Sequence, residues 1–187
     1  PTLSKKEIEE ILKKYLNISK VIWFKRGIYT DDEANHVDNL CCFIKPGIMA
    51  LTWTVDKNDP QYAISLEAFE TLKNSTDAKG RKIEIYKIHQ PDPLYYTENE
   101  CKSLKPIKGE YPCFPGKRMT ASYINFYIAN GGIILPGFGD PKYDHKALED
   151  IQNLFPKRKV VQVLARDILL GGGCIHCITQ QQPSINR

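Results

Sequence analysis

The feature that most restricts the fold is a pattern that occurs twice: two short apolar strands around a tight turn, a helix opened by Asp-Pro, then a third strand. In the first copy, residues 40–44 and 48–53 read as strands across the turn Lys45-Pro46-Gly47. Asp59-Pro60 then opens a helix, with Asp as N-cap and Pro at the first helical position, where a missing N–H is tolerated. Ile64, Leu66, Ala68, Phe69 and Leu72 supply its apolar positions, and residues 82–88 follow the turn Lys79-Gly80 as the third strand. The second copy has strands 123–129 and 133–135 around Asn130-Gly131-Gly132. Its helix opens at Asp140-Pro141, carries Ala147, Leu148, Ile151 and Leu154, and ends at Phe155-Pro156; residues 159–164 are the closing strand. The chain opens with a helix capped by Ser4 and Glu7, with Ile8, Ile11, Leu12 and Tyr15 on one face. Val21-Ile22-Trp23-Phe24 follows as a short buried strand, so this opening reads as the second half of an earlier copy. Repeated units depend on neighbours to cover their open faces. The expectation is an α/β fold of repeated ββαβ modules, about two and a half of them present. Residues 1–187 then form part of one domain whose N-terminal modules are absent.

A length of 187 residues suits one domain, and 42% hydrophobic with 26% charged residues is a globular composition. No apolar run approaches the roughly 20 residues of a membrane-spanning helix. The first residues read as a charged amphipathic helix rather than a signal peptide, and Pro1 in place of Met points to a processed or truncated start. The net charge of +4 is spread along the chain. Its basic clusters, Lys79-Gly80-Arg81-Lys82 and Lys157-Arg158-Lys159, precede strands and lack an aromatic stacking platform, so neither nucleic acid nor membrane is expected as a partner. Six cysteines without scaffold-like spacing predict a reducing, cytoplasmic setting. Residues 90–117 contain five prolines and read as a long loop, of the kind that is usually functional or mobile.

Chemistry concentrates in two stretches. Gly171-Gly172-Gly173 precedes Cys174-Ile175-His176-Cys177-Ile178-Thr179-Gln180-Gln181-Gln182-Pro183. Consecutive glycines allow close approach of a ligand to the backbone and leave N–H groups free to meet it. Three readings remain open: Cys177 as a nucleophile, Cys174-x-x-Cys177 with His176 as a metal or redox site, or two small residues buried in a core strand. In an extended segment His176 would face away from Cys177. The other stretch, Asn35-His36-Val37-Asp38-Asn39, places a His-x-Asp before a strand, aiming both side chains one way. An ordinary histidine, with a pKa of roughly 6.5, shuttles protons at neutral pH, and a carboxylate pairs with a cation. The alternative is a polar turn with a solvated histidine. His89 and His145 lack such company and read as surface or helix-face residues.

Together these stretches resemble the agmatine deiminase family of the guanidine-modifying (pentein) superfamily. Residues 171–183 match its Gly-Gly-Gly-x-Ile-His-Cys-Ile-Thr-Gln-Gln-Gln-Pro signature throughout, and His36-Val37-Asp38-Asn39 with Cys41-Cys42-Phe43 and Lys45-Pro46-Gly47 is similar to its histidine motif. Asp59-Pro60-Gln61-Tyr62, Asp77-Ala78-Lys79-Gly80-Arg81 and Ala121-Ser122-Tyr123-Ile124-Asn125-Phe126 extend the likeness over nearly the whole chain. The resemblance implies a propeller of five ββαβ modules, with no cofactor or metal. It also implies a homo-oligomer that hydrolyses agmatine to N-carbamoylputrescine and ammonia for putrescine and polyamine synthesis. By the same likeness Cys177 is the nucleophile, His36 the acid/base, Asp38 a carboxylate that holds the guanidinium, and Gly171, Gly172 and Gly173 substrate-binding backbone. A peptidylarginine deiminase and a non-catalytic or metal-binding remnant are the competing readings. Two departures stand out: Asn35-His36 replaces the family's Asn-Gly-His, and its Trp-x-Arg-Asp-x-Gly-Pro and Glu-Gly-Gly motifs do not occur. This chain alone is therefore expected to bind agmatine poorly, because a planar cation loses orientation with its carboxylates.

Overall fold

The computed structural model describes residues 2–31, 35–105 and 113–183. Helix α1 (Lys5–Leu16) precedes strands β1 (Cys41–Lys45) and β2 (Ile48–Trp53), helix α2 (Pro60–Lys73) and strand β3 (Glu84–His89). A short helix α3 (Glu98–Ser103) leads to β4 (Tyr127–Ile128), β5 (Gly132–Gly137), helix α4 (Pro141–Leu154), β6 (Lys159–Leu164) and α5 (Arg166–Leu169). The two sheets are built alike, in the orders β1-β2-β3 and β4-β5-β6. In each, an antiparallel pair is extended by a parallel strand: Cys41 lies opposite Leu51 and Tyr127 opposite Ile134. The parallel registers run from Ile48–Glu84 to Trp53–His89 and from Gly132–Lys159 to Gly137–Leu164. Parallel neighbours need a long crossover, and α2 and α4 provide it. The strand-strand-helix-strand unit expected twice is therefore the unit that forms twice.

Local chemistry explains the boundaries. Gly47 turns the first hairpin at φ +80°, a conformation that side chains rarely adopt. Asp59 accepts the Gln61 N–H at 2.8 Å, and Asp140 accepts those of Lys142 and Tyr143 at 3.0 and 2.9 Å. Such caps contribute about 1 kcal/mol each. Met49 and Leu51, two apart on β2, pack with Leu40, Ile64, Ala68 and Leu72. Ala50, between them, points the other way and joins Ile44, Ile88 and the second unit's Ile133, Leu135 and Ile151. The two units thus share a core through β2, which is buried on both faces.

Three expectations need correction. Residues 21–24 form no strand and are half-buried rather than buried, with Trp23 exposed; none of the strands among the described residues pairs with them, and a strand without a partner leaves its backbone groups unpaired. The strand expected at 123–129 shrinks to Tyr127–Ile128, because residues 123–126 form a buried turn. Residues 90–117, read as a loop, include among the described residues the helix α3, which is opened by a Thr97–Glu100 capping box. Beyond these, Cys101 and Cys113 are joined in a disulfide, a bridge that cysteine spacing did not announce; Cys41, Cys42, Cys174 and Cys177 are free. The α1 capping box forms as expected, yet no residue of α1 is buried, and Tyr15 and Leu16 are 74% and 63% exposed. No helix among the described residues is long and apolar enough to cross a membrane.

Candidate active site

Leaving β6, the chain makes the single turn α5 and enters the glycines. Gly171 and Gly172 donate back to the Ile168 and Leu169 carbonyls at 3.0 Å. Gly172 has φ +84° with open space beside it. Gly173 is required for a different reason: a Cβ there would lie 2.8 Å from the Cys177 Cβ and 3.1 Å from its Sγ. Cys174 and Ile175 are buried in the core, which pins the segment while Cys177 emerges two residues later as an exposed residue. The segment is a series of turns rather than an extended strand, so the alternation expected for His176 does not apply. Its backbone N–H donates to Asn125 Oδ1 at 2.8 Å.

The Cys177 thiol donates to Asp38 Oδ2 at 3.0 Å, across 139 residues of sequence. Asp38 Oδ1 is buried and has no hydrogen-bond partner among the described residues. A buried carboxylate oxygen left without a donor costs about 1–3 kcal/mol. Burial raises the Cys177 thiol above its ordinary range; the Cys174 backbone and Asn125 pull it down, while the hydrogen bond to Asp38 and the charge of that carboxylate push it up. The net direction is upward, so the resting sulfur holds its proton and hands it toward Asp38. Cys174, by contrast, is fully buried, and burial pushes its thiol up to about 11.

His36 and Asp38 do not share a face. Residues Val37–Asn39 form one turn of 3₁₀ helix that carries Asp38, while His36 is its N-cap with an extended backbone, outside the turn. His36 turns to Asp31 instead: its backbone N–H donates to Oδ2 at 2.7 Å, and its Nδ1 lies 3.3 Å from Oδ1. The His36 ring is 65% exposed. Asn35, the residue before His36, adopts φ 53°, a left-handed conformation that asparagine tolerates better than most residues. Cys177 and Asp38 are thus brought together with Gly173 against the sulfur, whereas Gly171 and Gly172 turn back onto Ile168 and Leu169 and His36 stands apart on Asp31.

Residues not singled out as site candidates from sequence complete the arrangement. Asn125 Nδ2 donates to Cys177 Sγ at 3.2 Å and to Asn39 Oδ1 at 3.0 Å. Thr52 and Ser122 hydroxyls donate to the Asn39 carbonyl at 2.8 and 2.7 Å. Asn39, Thr52, Ser122 and Asn125 are all buried. The signal was a serine and an asparagine inside the apolar run Ala121-Ser122-Tyr123-Ile124-Asn125-Phe126. Clefts of about 390 and 520 Å³ are lined by other residues, around Ile44, Tyr86 and Asp150 and around Ile18, Cys41 and Phe43. Cys177 lines neither of these two clefts.

The sequence profile of the Porphyromonas-type peptidyl-arginine deiminase family matches residues 1–183, and the chain belongs to that family. It is 54% identical over 187 residues to the agmatine deiminase of Medicago truncatula, covering 99% of this chain and 50% of that protein. It is 48% identical over 184 residues to the agmatine deiminase of Pseudomonas aeruginosa strain LESB58, covering 98% and 50%. The solved agmatine deiminase of Enterococcus faecalis superposes with a TM-score of 0.88 at 41% identity, covering 98% of this chain and 50% of that one. The chain spans about half the length of the relatives it matches.

Proposed function

We propose that this chain carries the nucleophile half of an agmatine deiminase site. The observation that carries the reading is the Cys177 Sγ–Asp38 Oδ2 approach of 3.0 Å, with Asp38 Oδ1 buried and unpartnered beside it. That free oxygen fits one N–H of a guanidinium. A cation seated on Asp38 offsets the charge that keeps the thiol protonated, so substrate binding itself favours the thiolate. The thiolate then attacks the guanidinium carbon. His36 protonates the departing ammonia, leaving an amidino-thioether on the sulfur; it then takes a proton from water, whose oxygen displaces the thiolate as a ureido product. For this His36 must leave Asp31 and face the substrate.

The two units belong, in this reading, to a five-module propeller of which about two and a half lie in residues 1–187. The remaining modules supply the other carboxylates and cover the exposed face of α1. The name agmatine deiminase carried by the relatives favours agmatine over peptidyl-arginine, whereas the family description favours the latter. A homo-oligomer, a role in putrescine synthesis and a cytoplasmic location complete the proposal. The Cys101–Cys113 disulfide is the feature that speaks against the last of these. The test is mass spectrometry of the products formed when the full-length protein receives agmatine, free arginine and an arginine peptide together. N-carbamoylputrescine alone is expected. Citrulline formed in the peptide without agmatine turnover would overturn the substrate assignment.

A further inference from the structure

Asn125 lies at the centre of a buried network that joins the two segments of the site, the one that carries Asp38 and the one that carries Cys177. Its side chain is fully buried, and each of its polar atoms is committed. Oδ1 accepts the His176 backbone N–H at 2.8 Å, while the two Nδ2 protons meet Asn39 Oδ1 at 3.0 Å and Cys177 Sγ at 3.2 Å. The orientation of a side-chain amide is normally inferred from its partners. Here one partner decides it. The His176 N–H is a backbone donor that cannot invert, so the oxygen must face it and the NH₂ must face the sulfur.

A purely structural asparagine would be expected to spend its donors on carbonyls, which accept well. A neutral thiol sulfur accepts weakly, whereas an anionic sulfur accepts strongly because the bond becomes charge-assisted. The bond from Asn125 therefore gains most when Cys177 loses its proton. The bond to Asp38 behaves oppositely: it needs the S–H, and it turns into repulsion once the proton leaves. Asn39 couples the two, since it follows Asp38 in the 3₁₀ turn and its carbonyl is clamped by Thr52 and Ser122.

We propose that Asn125 is the positioning residue of the Cys177 thiolate, holding the sulfur by an Nδ2–H donor aimed by the His176 backbone. The inference rests on Cys177 being the nucleophile, but its test does not depend on turnover. In the full-length protein, the pH dependence of Cys177 alkylation by iodoacetamide without substrate reports the thiol directly. Asn125→Leu removes the donor at similar volume. The alkylation midpoint should rise by about one pH unit, a tenfold loss of thiolate at fixed pH. With agmatine, kcat should fall while KM changes little. An unchanged midpoint in a folded Asn125→Leu protein overturns the proposal.

If that variant does not fold, the wild-type protein labelled with ¹⁵N-asparagine gives the same answer. The Asn125 side-chain NH₂ resonances should shift with the alkylation midpoint, and a flat response across it overturns the proposal. Failure of the catalytic reading has a separate signature: Cys177→Ala would retain turnover, whatever the Asn125 amide does.

Discussion

Replacing Asp38 by Asn removes the charge beside the Cys177 sulfur while keeping the shape of the side chain. The two groups stand 3.0 Å apart. At that separation the repulsion between a carboxylate and a thiolate is ~5 kcal/mol at an effective dielectric constant of ~20 and ~1.4 kcal/mol at ~80. Cys177 is exposed as a residue although its sulfur is partly buried against Asp38 and Asn125, so the lower figure, about one pK unit, is the minimum expected. The thiol of Asp38→Asn should therefore titrate at least about one unit lower, with roughly tenfold more thiolate near neutrality. A less basic thiolate is also a poorer nucleophile, with a Brønsted slope of about 0.5, so the alkylation rate at fixed pH should rise only about threefold. Turnover should move the other way, by on the order of a hundredfold, because the substrate loses an orienting charge. The assay is iodoacetamide alkylation against pH in the full-length protein, followed on the Cys177 peptide. Burial pushes the Cys41 thiol up to about 12 and Cys174 to about 11, so neither competes near neutral pH. Slower alkylation of Asp38→Asn, or a midpoint that does not fall, would refute the claim that Asp38 keeps the resting thiol protonated.

Gly173→Ala should reduce turnover on the order of a hundredfold, because its Cβ would displace the Cys177 Cβ from 2.8 Å. Overpacking should lower stability by about 1–3 kcal/mol, measured by denaturant unfolding. Tyr123→Phe removes the 2.6 Å bond from the phenol to Asp144, a carboxylate that also accepts the Phe138 and Gly139 N–H groups; a loss of about 1.5–3 kcal/mol is expected in the same assay. Glu100 is held at about 2, chiefly by its hydrogen bond from Arg166 and then by the Thr97 backbone. A carboxylate depressed in the folded state stabilises fully above its unfolded value, roughly 4.3, and loses that contribution as pH falls through the folded one. The denaturation midpoints of wild type and Glu100→Gln should thus converge between about pH 4.5 and 2. A constant gap across that window would rule out the Glu100–Arg166 pair as its source.

The two helices could be placed from sequence because Asp59-Pro60 and Asp140-Pro141 fix their first turns by local chemistry alone. Strands β2 and β6 were legible for the same reason, each being an apolar run bounded by turn residues. Residues 21–24 and 123–126 were misread, since an apolar run looks alike whether it pairs as a strand or packs as a turn. What separates them is the presence of a partner strand, which is a tertiary fact. At the site, the glycines and Cys177 announced themselves by type and spacing, and Asp38 by its place before β1. The divergence of His36 from Asp38 followed from a single 3₁₀ turn that no composition signals. Asn125 was hidden because its partners lie 52 and 86 residues away in sequence.

The central claim is that Cys177 bonds covalently to the guanidinium carbon. Acid quenching of the full-length protein within one turnover with agmatine, followed by mass spectrometry of its peptides, tests it directly. An adduct of agmatine less ammonia on the Cys177 peptide, absent in Cys177→Ala, is the predicted result. Product formation with no adduct on Cys177, or undiminished turnover in Cys177→Ala, would contradict it.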